Sequence, residues 1–238
     1  MSVSPLSRRL FLASLALSLL LSGCGGGGKG DTSNSRATGA AEFTINWPET
    51  SRLIPTAAQS IKIALSGTAS VERTVARPPV GTNQTTVTFN DLVIGNYTAA
   101  ASAYPNADAT GVVQATGSTT VTIVKNQTAT GTLTMDTTIT KVGITPATAS
   151  IAIGGTQAVT GSAQDATNAT VLTAPTKWTW STSDATTATV SATGNPATVT
   201  GVKAGSVTIT GTETESGKSS TMSITVNADK GNLDLTIK

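Results

Sequence analysis

Histidine is absent from this 238-residue chain, and cysteine occurs once, as Cys24. Most proton shuttles, metal ligands and thiol nucleophiles of enzymes come from these two residue types. Without histidine a Ser-His-Asp triad is excluded, and a single cysteine cannot form a disulfide bond within the chain. We therefore expect no catalytic site, no cofactor and no metal centre. Any folded domain must be stabilised by its apolar core.

Charged and aromatic residues are also scarce. The four charged residue types make up 12% of the chain and the aromatic residues 3%. The net charge of +2 comes from 15 basic and 13 acidic side chains, and it disappears if Arg8 and Arg9 are lost with an N-terminal signal. A balanced chain without clustered aromatic rings lacks the basic surface and the stacking platform of a nucleic-acid-binding protein. No nucleic-acid partner is expected.

The abundant residues favour β-structure. Thr, Ala, Ser, Val and Gly dominate the chain, a mixture that suits half-buried strands better than helices. Apolar and polar residues alternate in short runs such as 61–65 and 97–101, and Leu133 with Met135 predicts a further strand. Turn-forming pairs such as Asn90-Asp91 separate the runs. The chain is therefore predicted to be all-β and to form sandwiches of short strands.

The N-terminus has the organisation of an export signal. Arg8 and Arg9 precede twelve mostly apolar residues, 10–21, whereas a transmembrane helix needs about 20 and a signal-peptide core about 7 to 15. Leu21-Ser22-Gly23-Cys24 resembles a bacterial lipobox. The resemblance implies cleavage between Gly23 and Cys24 and attachment of a diacylglyceryl group to the Cys24 sulfur. We therefore predict a lipoprotein signal peptide over 1–23 and a membrane partner reached through the lipid anchor.

The residues around this motif indicate the possible export routes and the membrane in which the protein is located. The segment 7–12 also resembles a twin-arginine signal, so the general secretory and twin-arginine routes both stay open. Gly25 stands where the Gram-negative sorting pattern has an Asp for inner-membrane retention, so an outer-membrane or cell-surface location is favoured. Residues 25–40 are rich in Gly, Ser, Thr and Asn and lack apolar periodicity. With Cys24 they form a predicted flexible linker over 24–40.

One hairpin motif characterises the first predicted domain, 41–138. The pattern Phe89-x-x-Leu92-x-x-Gly95-x-Tyr97 resembles a strand segment of prealbumin-like sandwiches, such as carboxypeptidase regulatory-like and collagen-adhesin B-type domains. The resemblance implies a prealbumin-like or immunoglobulin-like β-sandwich. In physical terms, Gly95 can adopt the positive φ that the turn requires, and Tyr97 places its ring in the core.

A longer set of motifs characterises the second predicted domain, 139–227. The segments 178–184 (WTWSTSD) and 197–205 (ATVTGVKAG) resemble the group 2 bacterial immunoglobulin-like domain. The resemblance implies a second sandwich. A tail with a short strand is predicted over 228–238. Trp178 and Trp180 lie on one face of a strand, so both are predicted to pack in the core.

The acidic residues form no recognisable catalytic or metal-binding motif. Glu213 and Glu215 are interpreted as a solvated strand edge, where charge discourages unwanted strand pairing. Asp136 and Asp184 are the nearest candidates for calcium at a domain junction, but neither belongs to an EF-hand-like spacing. No metal site is predicted.

The order of signal, linker and two sandwiches predicts a non-catalytic, lipid-anchored protein of the bacterial cell envelope. It would act as a spacer and binding module in adhesion or envelope organisation, because such sandwiches carry adaptable loops on a rigid frame. One alternative is a carbohydrate-binding module that uses Trp47 and Tyr104, the aromatic residues expected to face solvent. Another is a structural subunit of an envelope assembly, in which Ile224 and Val226 or the segment 232–238 offers an edge strand to a protein partner.

Overall fold

The computed structural model describes residues 36–47, 55–79, 82 and 84–228. These residues form 17 β-strands and one short 3-10 helix, Pro175–Lys177, and no α-helix. The prediction of an all-β protein is therefore confirmed. No helix within these ranges has the length and apolarity that a membrane crossing needs. The strands are β1 (Thr38–Asn46), β2 (Ser60–Gly67), β3 (Val71–Ala76), β4 (Gln84–Val93), β5 (Gly95–Tyr104), β6 (Ala115–Ile123), β7 (Thr128–Gly131), β8 (Asp136–Thr137), β9 (Lys141–Thr145), β10 (Thr148–Ala152), β11 (Thr156–Gln164), β12 (Thr170–Val171), β13 (Trp178–Thr182), β14 (Ala188–Val190), β15 (Ala197–Gly201), β16 (Gly205–Glu213) and β17 (Lys218–Asn227).

Strands β1 to β8 form the first sandwich. One sheet has the order β4-β1-β7 and the other β3-β2-β5-β6-β8. Alternate side chains of both sheets turn inward and form one buried apolar cluster. Within it the rings of Phe43 and Phe89 meet edge to face at a centroid distance of 6.0 Å. The Tyr97 ring is buried, and its hydroxyl donates a hydrogen bond to the Val93 carbonyl at 3.0 Å.

The hairpin motif at 89–97 has the predicted roles, with one difference. Phe89, Leu92 and Tyr97 are core residues, and Gly95 has a φ of 143°. A Cβ on Gly95 would lie 2.3 Å from the Thr68 hydroxyl oxygen. The turn predicted at Asn90-Asp91 is wrong, because β4 continues through it to Val93. A register shift against β1 and a φ of 55° at Asp91 mark a β-bulge instead.

Two boundaries of the first sandwich also differ from the sequence-based prediction. Strand β1 begins at Thr38, inside the predicted linker. Leu133 and Met135 point toward the core as predicted, but the strand predicted for them is wrong, because residues 132–135 are not part of a strand. This segment leaves β7 in one sheet and leads to β8 in the other, so it cannot continue either ladder.

Strands β9 to β17 form the second sandwich. One sheet has the order β10-β17-β16-β13, and the other has the order β12-β11-β15-β14, with β9 also pairing with β11. Its buried apolar residues form a cluster of their own. Trp178 and Trp180 are both buried there and stack at a centroid distance of 5.9 Å and an interplanar angle of 23°. The prediction that both rings are core residues is confirmed.

Glycine makes room for these two rings. A Cβ on Gly161 of β11 would lie 2.2 Å from the Trp178 ring, and a Cβ on Gly211 of β16 would lie 2.6 Å from the Trp180 ring. The ring nitrogens are paired as well: Trp178 donates to the Thr173 hydroxyl at 2.9 Å and Trp180 to the Gly194 carbonyl at 2.7 Å. Both indole rings are therefore held by packing and by hydrogen bonds.

The edge strand expected at Ile224 and Val226 is wrong. Strand β17 pairs with β16 on one side and, in parallel, with β10 on the other. Ile224 and Val226 are buried at relative exposures of 0% and 2%, so neither residue lies on a free sheet edge. The segment 232–238 lies outside the described residues.

Candidate functional site

The two aromatic residues predicted to contact a ligand have different environments. Trp47 is buried at 2% exposure, so the expectation that it faces solvent is wrong. It extends the inward face of β1, its Nε1 donates to the Thr85 hydroxyl at 3.0 Å, and the Arg77 guanidinium lies 4.9 Å from its ring centroid. Tyr104, at the end of β5, is half-buried. The other predicted site residues, Gly23 and Cys24, lie outside the described residues.

Burial extends to nearly all aromatic side chains. Seven aromatic residues follow the predicted signal peptide, and all except Tyr104 are buried. A sugar-binding face that stacks rings on a ligand needs exposed aromatic surface. Within the described residues only Tyr104 offers such a surface.

Polar residues cluster instead where the two sandwiches meet. We call this region the junction, formed by Thr56, Arg77 and Gln114 of the first sandwich and Leu172 and Glu215 of the second. Oε1 of Glu215 accepts two hydrogen bonds from Thr56, one from the backbone N–H at 2.8 Å and one from the hydroxyl at 2.7 Å. Glu215 is only 5% exposed. Charge-assisted hydrogen bonds of this kind are shorter and stronger than neutral ones.

Arg77 supplies positive charge to the junction. Its Nε donates to the Ala58 carbonyl at 2.6 Å and its Nη2 to the Pro55 carbonyl at 3.0 Å. Both carbonyls belong to the loop that carries Thr56, so the guanidinium fixes the loop that contacts Glu215. Burial lowers the pKa of Arg77, and the negative charge of Glu215 opposes that effect. The guanidinium therefore stays charged and offsets the buried carboxylate.

A second contact crosses the junction. Gln114 is fully buried, and its Nε2 donates to the Leu172 carbonyl at 2.8 Å. Its backbone carbonyl accepts from the Thr138 N–H at 3.0 Å, at the point where the chain passes into the second sandwich. Gln114 Oε1 and Glu215 Oε2 are the two buried side-chain oxygens of the described residues without a hydrogen-bond partner.

Glu213 is buried beside the junction. One of its carboxylate oxygens accepts from the Glu215 N–H at 3.0 Å and the other from the Ser216 N–H at 2.7 Å. It thereby closes the turn that leads into β17. The interpretation of Glu213 and Glu215 as a solvated edge is wrong, because Glu213 is 0% and Glu215 5% exposed. Their charges stabilise a turn and a domain contact rather than repel a foreign strand.

Three aspartates outside the junction cap tight turns. Asp108, Asp165 and Asp184 each precede Ala-Thr, and each carboxylate accepts hydrogen bonds from the threonine hydroxyl and N–H two residues later. The hydroxyl contact is the main cause that lowers the pKa of each of the three carboxyls. Asp184 also accepts from the Thr187 hydroxyl at 2.7 Å, so its oxygens are engaged within the turn.

The described residues bring together no group of three Asp, Glu, His or Cys side chains that could hold a metal ion. The two calcium candidates are separated in the fold: Asp136 lies in β8 of the first sandwich, and Asp184 caps a turn of the second. The junction joins two bodies, each with its own core, through partly buried hydrogen bonds, of which those to Glu215 are charge-assisted. No motif in the sequence identifies Thr56 or Gln114 as its members.

Comparison with known proteins agrees with this fold. The family model described as bacterial Ig-like domain (group 2) matches residues 138–229, which confirms the resemblance of the second domain. The prealbumin-like resemblance of the first domain stays a prediction. Among curated proteins no similar sequence is found.

Several solved structures align with part of this chain. Domains 1–6 of the surface layer protein SbsC align with 62% of this chain at 18% identity and a TM-score of 0.35. A 282-residue C-terminal fragment of intimin, in complex with the intimin-binding domain of its translocated receptor, aligns with 80% of the chain at 13% identity and a TM-score of 0.31. InvD of Yersinia pseudotuberculosis aligns with 87% at 14% identity and a TM-score of 0.27. The alignments cover 18%, 61% and 62% of those three chains, so this chain spans only part of each.

Proposed function

We propose that this protein, whose residues 138–229 are a group 2 bacterial Ig-like domain, is a non-catalytic lipoprotein of the bacterial cell envelope. Two sandwiches joined end to end act as a spacer that holds a binding surface away from the membrane. The outer membrane or the cell surface is its proposed location, and a lipid on Cys24 its proposed anchor.

The observation that carries the spacer role is the junction. A linker between independent domains leaves them free to reorient, whereas here Glu215 and Gln114 form partly buried hydrogen bonds between the two sandwiches. Reorientation would exchange these hydrogen bonds for hydrogen bonds to water, which costs about 0.5–1.5 kcal/mol for a neutral pair and about 1.5–3 kcal/mol where one partner is charged. The junction therefore favours one arrangement of the two bodies, as a spacer requires.

The lipid anchor is supported by the order of the N-terminal segments and tested by one substitution. Cys24→Ser removes the sulfur that would carry the lipid, and we expect it to move the protein from the membrane to the soluble fraction. Ser33→Ala, a substitution in the same linker, is the matched control and should leave fractionation unchanged. Mass spectrometry of the mature N-terminal peptide measures the modification directly. An unmodified thiol on membrane-free wild-type protein would contradict the proposal.

Binding to a protein partner is favoured over carbohydrate recognition, because six of the seven aromatic rings beyond the signal peptide lie in the cores. Crosslinking in intact cells tests for that partner. Recovery of one stoichiometric partner would indicate a subunit of an assembly, and capture of several ligands at low yield would indicate an adhesion module. A glycan array with reproducible hits that Tyr104→Ala abolishes would overturn this preference.

A further inference from the structure

The end of the first sandwich at which the chain enters exposes two aliphatic side chains. Ile94 lies in the turn between β4 and β5 and is 44% exposed, and Val124 follows β6 and is 47% exposed. Gly95 pairs with Ile123 in the β5–β6 ladder. Ile94 and Val124 therefore stand opposite one another where that ladder ends.

The incoming chain runs between these two turns. The Ala37 carbonyl accepts from the Ile94 N–H at 3.2 Å, and the Thr38 carbonyl accepts from the Asn126 N–H at 2.9 Å. The entry point is thus hydrogen-bonded on one side to the turn with Ile94 and on the other to the turn with Val124. Two exposed apolar groups flank the point at which the segment from Cys24 reaches the folded domain.

The junction lies at the opposite end of the same sandwich. Strand β5 begins beside Ile94 and ends at Tyr104, just before the loop that contains Gln114. Ten residues of β-strand span about 33 Å. The end with Ile94 and Val124 is therefore the end of the first sandwich that lies away from the second sandwich.

The length of chain before the entry point limits where this end can be. Eleven residues lie between Cys24 and Arg36, so the twelve Cα–Cα steps from Cys24 to Arg36 span at most about 43 Å. Arg36 and Lys125 are exposed at this end, and Asp91 is the acidic residue near them. The balance of charge there is positive, which suits an anionic lipid surface.

We propose that this end of the first sandwich docks on the lipid surface and inserts Ile94 and Val124 at the level of the headgroups. The proposal rests on the lipid anchor of the proposed function. The anchor holds the entry end at the bilayer, and the two aliphatic side chains then leave water for an interface in which apolar groups are stabilised. The protein would accordingly stand on the membrane in one orientation.

Single-cysteine labelling of the full lipidated chain tests this proposal. Ile94→Cys and Val124→Cys are each labelled with an environment-sensitive nitrobenzoxadiazole probe, since a lipidated Cys24 has no free thiol to react. Val202→Cys, at a residue with the same 47% exposure as Val124 but in the second sandwich, is the matched control. The proteins are reconstituted into vesicles of phosphatidylethanolamine and phosphatidylglycerol and recovered by flotation.

We expect the probes at 94 and 124 to shift to shorter wavelength and to be quenched by iodide at least about threefold less than the probe at 202, because residues at the headgroup boundary are withdrawn from water. Equal iodide quenching at all three positions on protein that floats would overturn the docking proposal and leave the lipid anchor intact. Protein that fails to float would overturn both.

A second measurement avoids the label. In vesicle-bound protein, trypsin should cleave after Arg36 several-fold faster in the Ile94→Ser/Val124→Ser double variant than in wild type, because loss of docking uncovers the entry point. Val202→Ser should behave as wild type. Equal cleavage rates in all three proteins, with far-ultraviolet circular dichroism unchanged, would contradict docking.

Discussion

Glu215 and Thr56 lie 159 residues apart in the chain and are joined by two hydrogen bonds, both accepted by one oxygen of the Glu215 carboxylate. Each residue belongs to a different sandwich with its own apolar core. Their contact therefore adds nothing to the formation of either core. Its effect is to couple the two bodies, which makes it the natural place to test whether the protein works as a spacer.

Replacing Glu215 with Ala should destabilise the junction. The partly buried Thr56 N–H loses its charged acceptor and Arg77 loses its neutralising charge, so we expect the free energy of unfolding to fall by about 1–3 kcal/mol. Urea denaturation followed by tryptophan fluorescence measures this change, and small-angle X-ray scattering measures the spread of inter-domain arrangements, which should widen.

Glu72→Ala is the control for that substitution. Glu72 forms a surface ion pair with Lys62 at 3.4 Å, and its side chain is 64% exposed. We expect a change within about 0.5 kcal/mol and an unaltered scattering curve, because exposed pairs contribute little. An equal loss in both variants would show that Glu215 acts only as a surface charge.

The cores followed from the sequence because their signal is local. Alternation with a period of two placed 61–65 and 97–101 in strands with one face inward, and the burial of those side chains agrees. The same alternation also explains two wrong predictions, the exposure of Trp47 and the exposure of Glu213. Phe43 and Ile45 alternate on the inward face of β1, and Trp47, which directly follows the strand, continues that alternation. The prediction that Trp47 faces solvent did not take into account the alternation that begins earlier in β1.

The prediction for the end of β16 was wrong because the charge of Glu213 was taken to indicate exposure. Val207, Ile209 and Gly211 alternate on the inward face, and the next position in that series is Glu213. Periodicity alone would place Glu213 inside, and its carboxylate is satisfied there by two backbone N–H groups. The contact between Thr56 and Glu215 has no such local signal. It depends on how two separately folded bodies meet, which one sequence does not encode in a readable pattern.

Gly161→Ala should be strongly destabilising although it adds only one methyl group. The new Cβ would lie 2.2 Å from the Trp178 ring, and the buried indole cannot move without losing its bond to Thr173. We expect a loss of about 1–3 kcal/mol, the usual cost of overpacking. Gly143→Ala on the paired strand β9 is the control, since its Cβ would meet the Ser162 hydroxyl oxygen at 3.3 Å. The measurement is the melting temperature of each variant. Similar values for Gly161→Ala and Gly143→Ala would mean that the second core tolerates the added volume.

The Asp-Ala-Thr turns should make stability depend on acid pH. The pKa values of Asp108, Asp165 and Asp184 are lowered in the folded protein, first by the hydrogen bond from the threonine hydroxyl. Each carboxylate therefore contributes stability above its unfolded pKa of about 3.9, and this contribution is lost as the pH falls through the lower folded pKa. The triple Asp→Asn variant should lose less melting temperature between neutral and acid pH than wild type.

Asp136→Asn is the matched control for the acid experiment. Asp136 also has a threonine two residues later, but the Thr138 N–H and hydroxyl donate instead to the Gln114 and Val113 carbonyls. This variant should keep the wild-type dependence of melting temperature on pH. If it flattens the profile as much as the triple variant does, the three turns are not the source of the acid sensitivity.

Trp47→Ala and Tyr104→Ala should have opposite consequences, although the sequence suggested the same role for both. Trp47 is 2% exposed, bonded to Thr85 and covered by Arg77, so its removal should cost about 3–5 kcal/mol as a core cavity does. Tyr104 is half-buried at a strand end, so Tyr104→Ala should lower the melting temperature far less. Any binding lost in Trp47→Ala would then report unfolding, and only Tyr104→Ala can report a ligand contact. A Trp47→Ala variant as stable as wild type would mean that the ring is exposed in solution and would restore it as a candidate for ligand stacking.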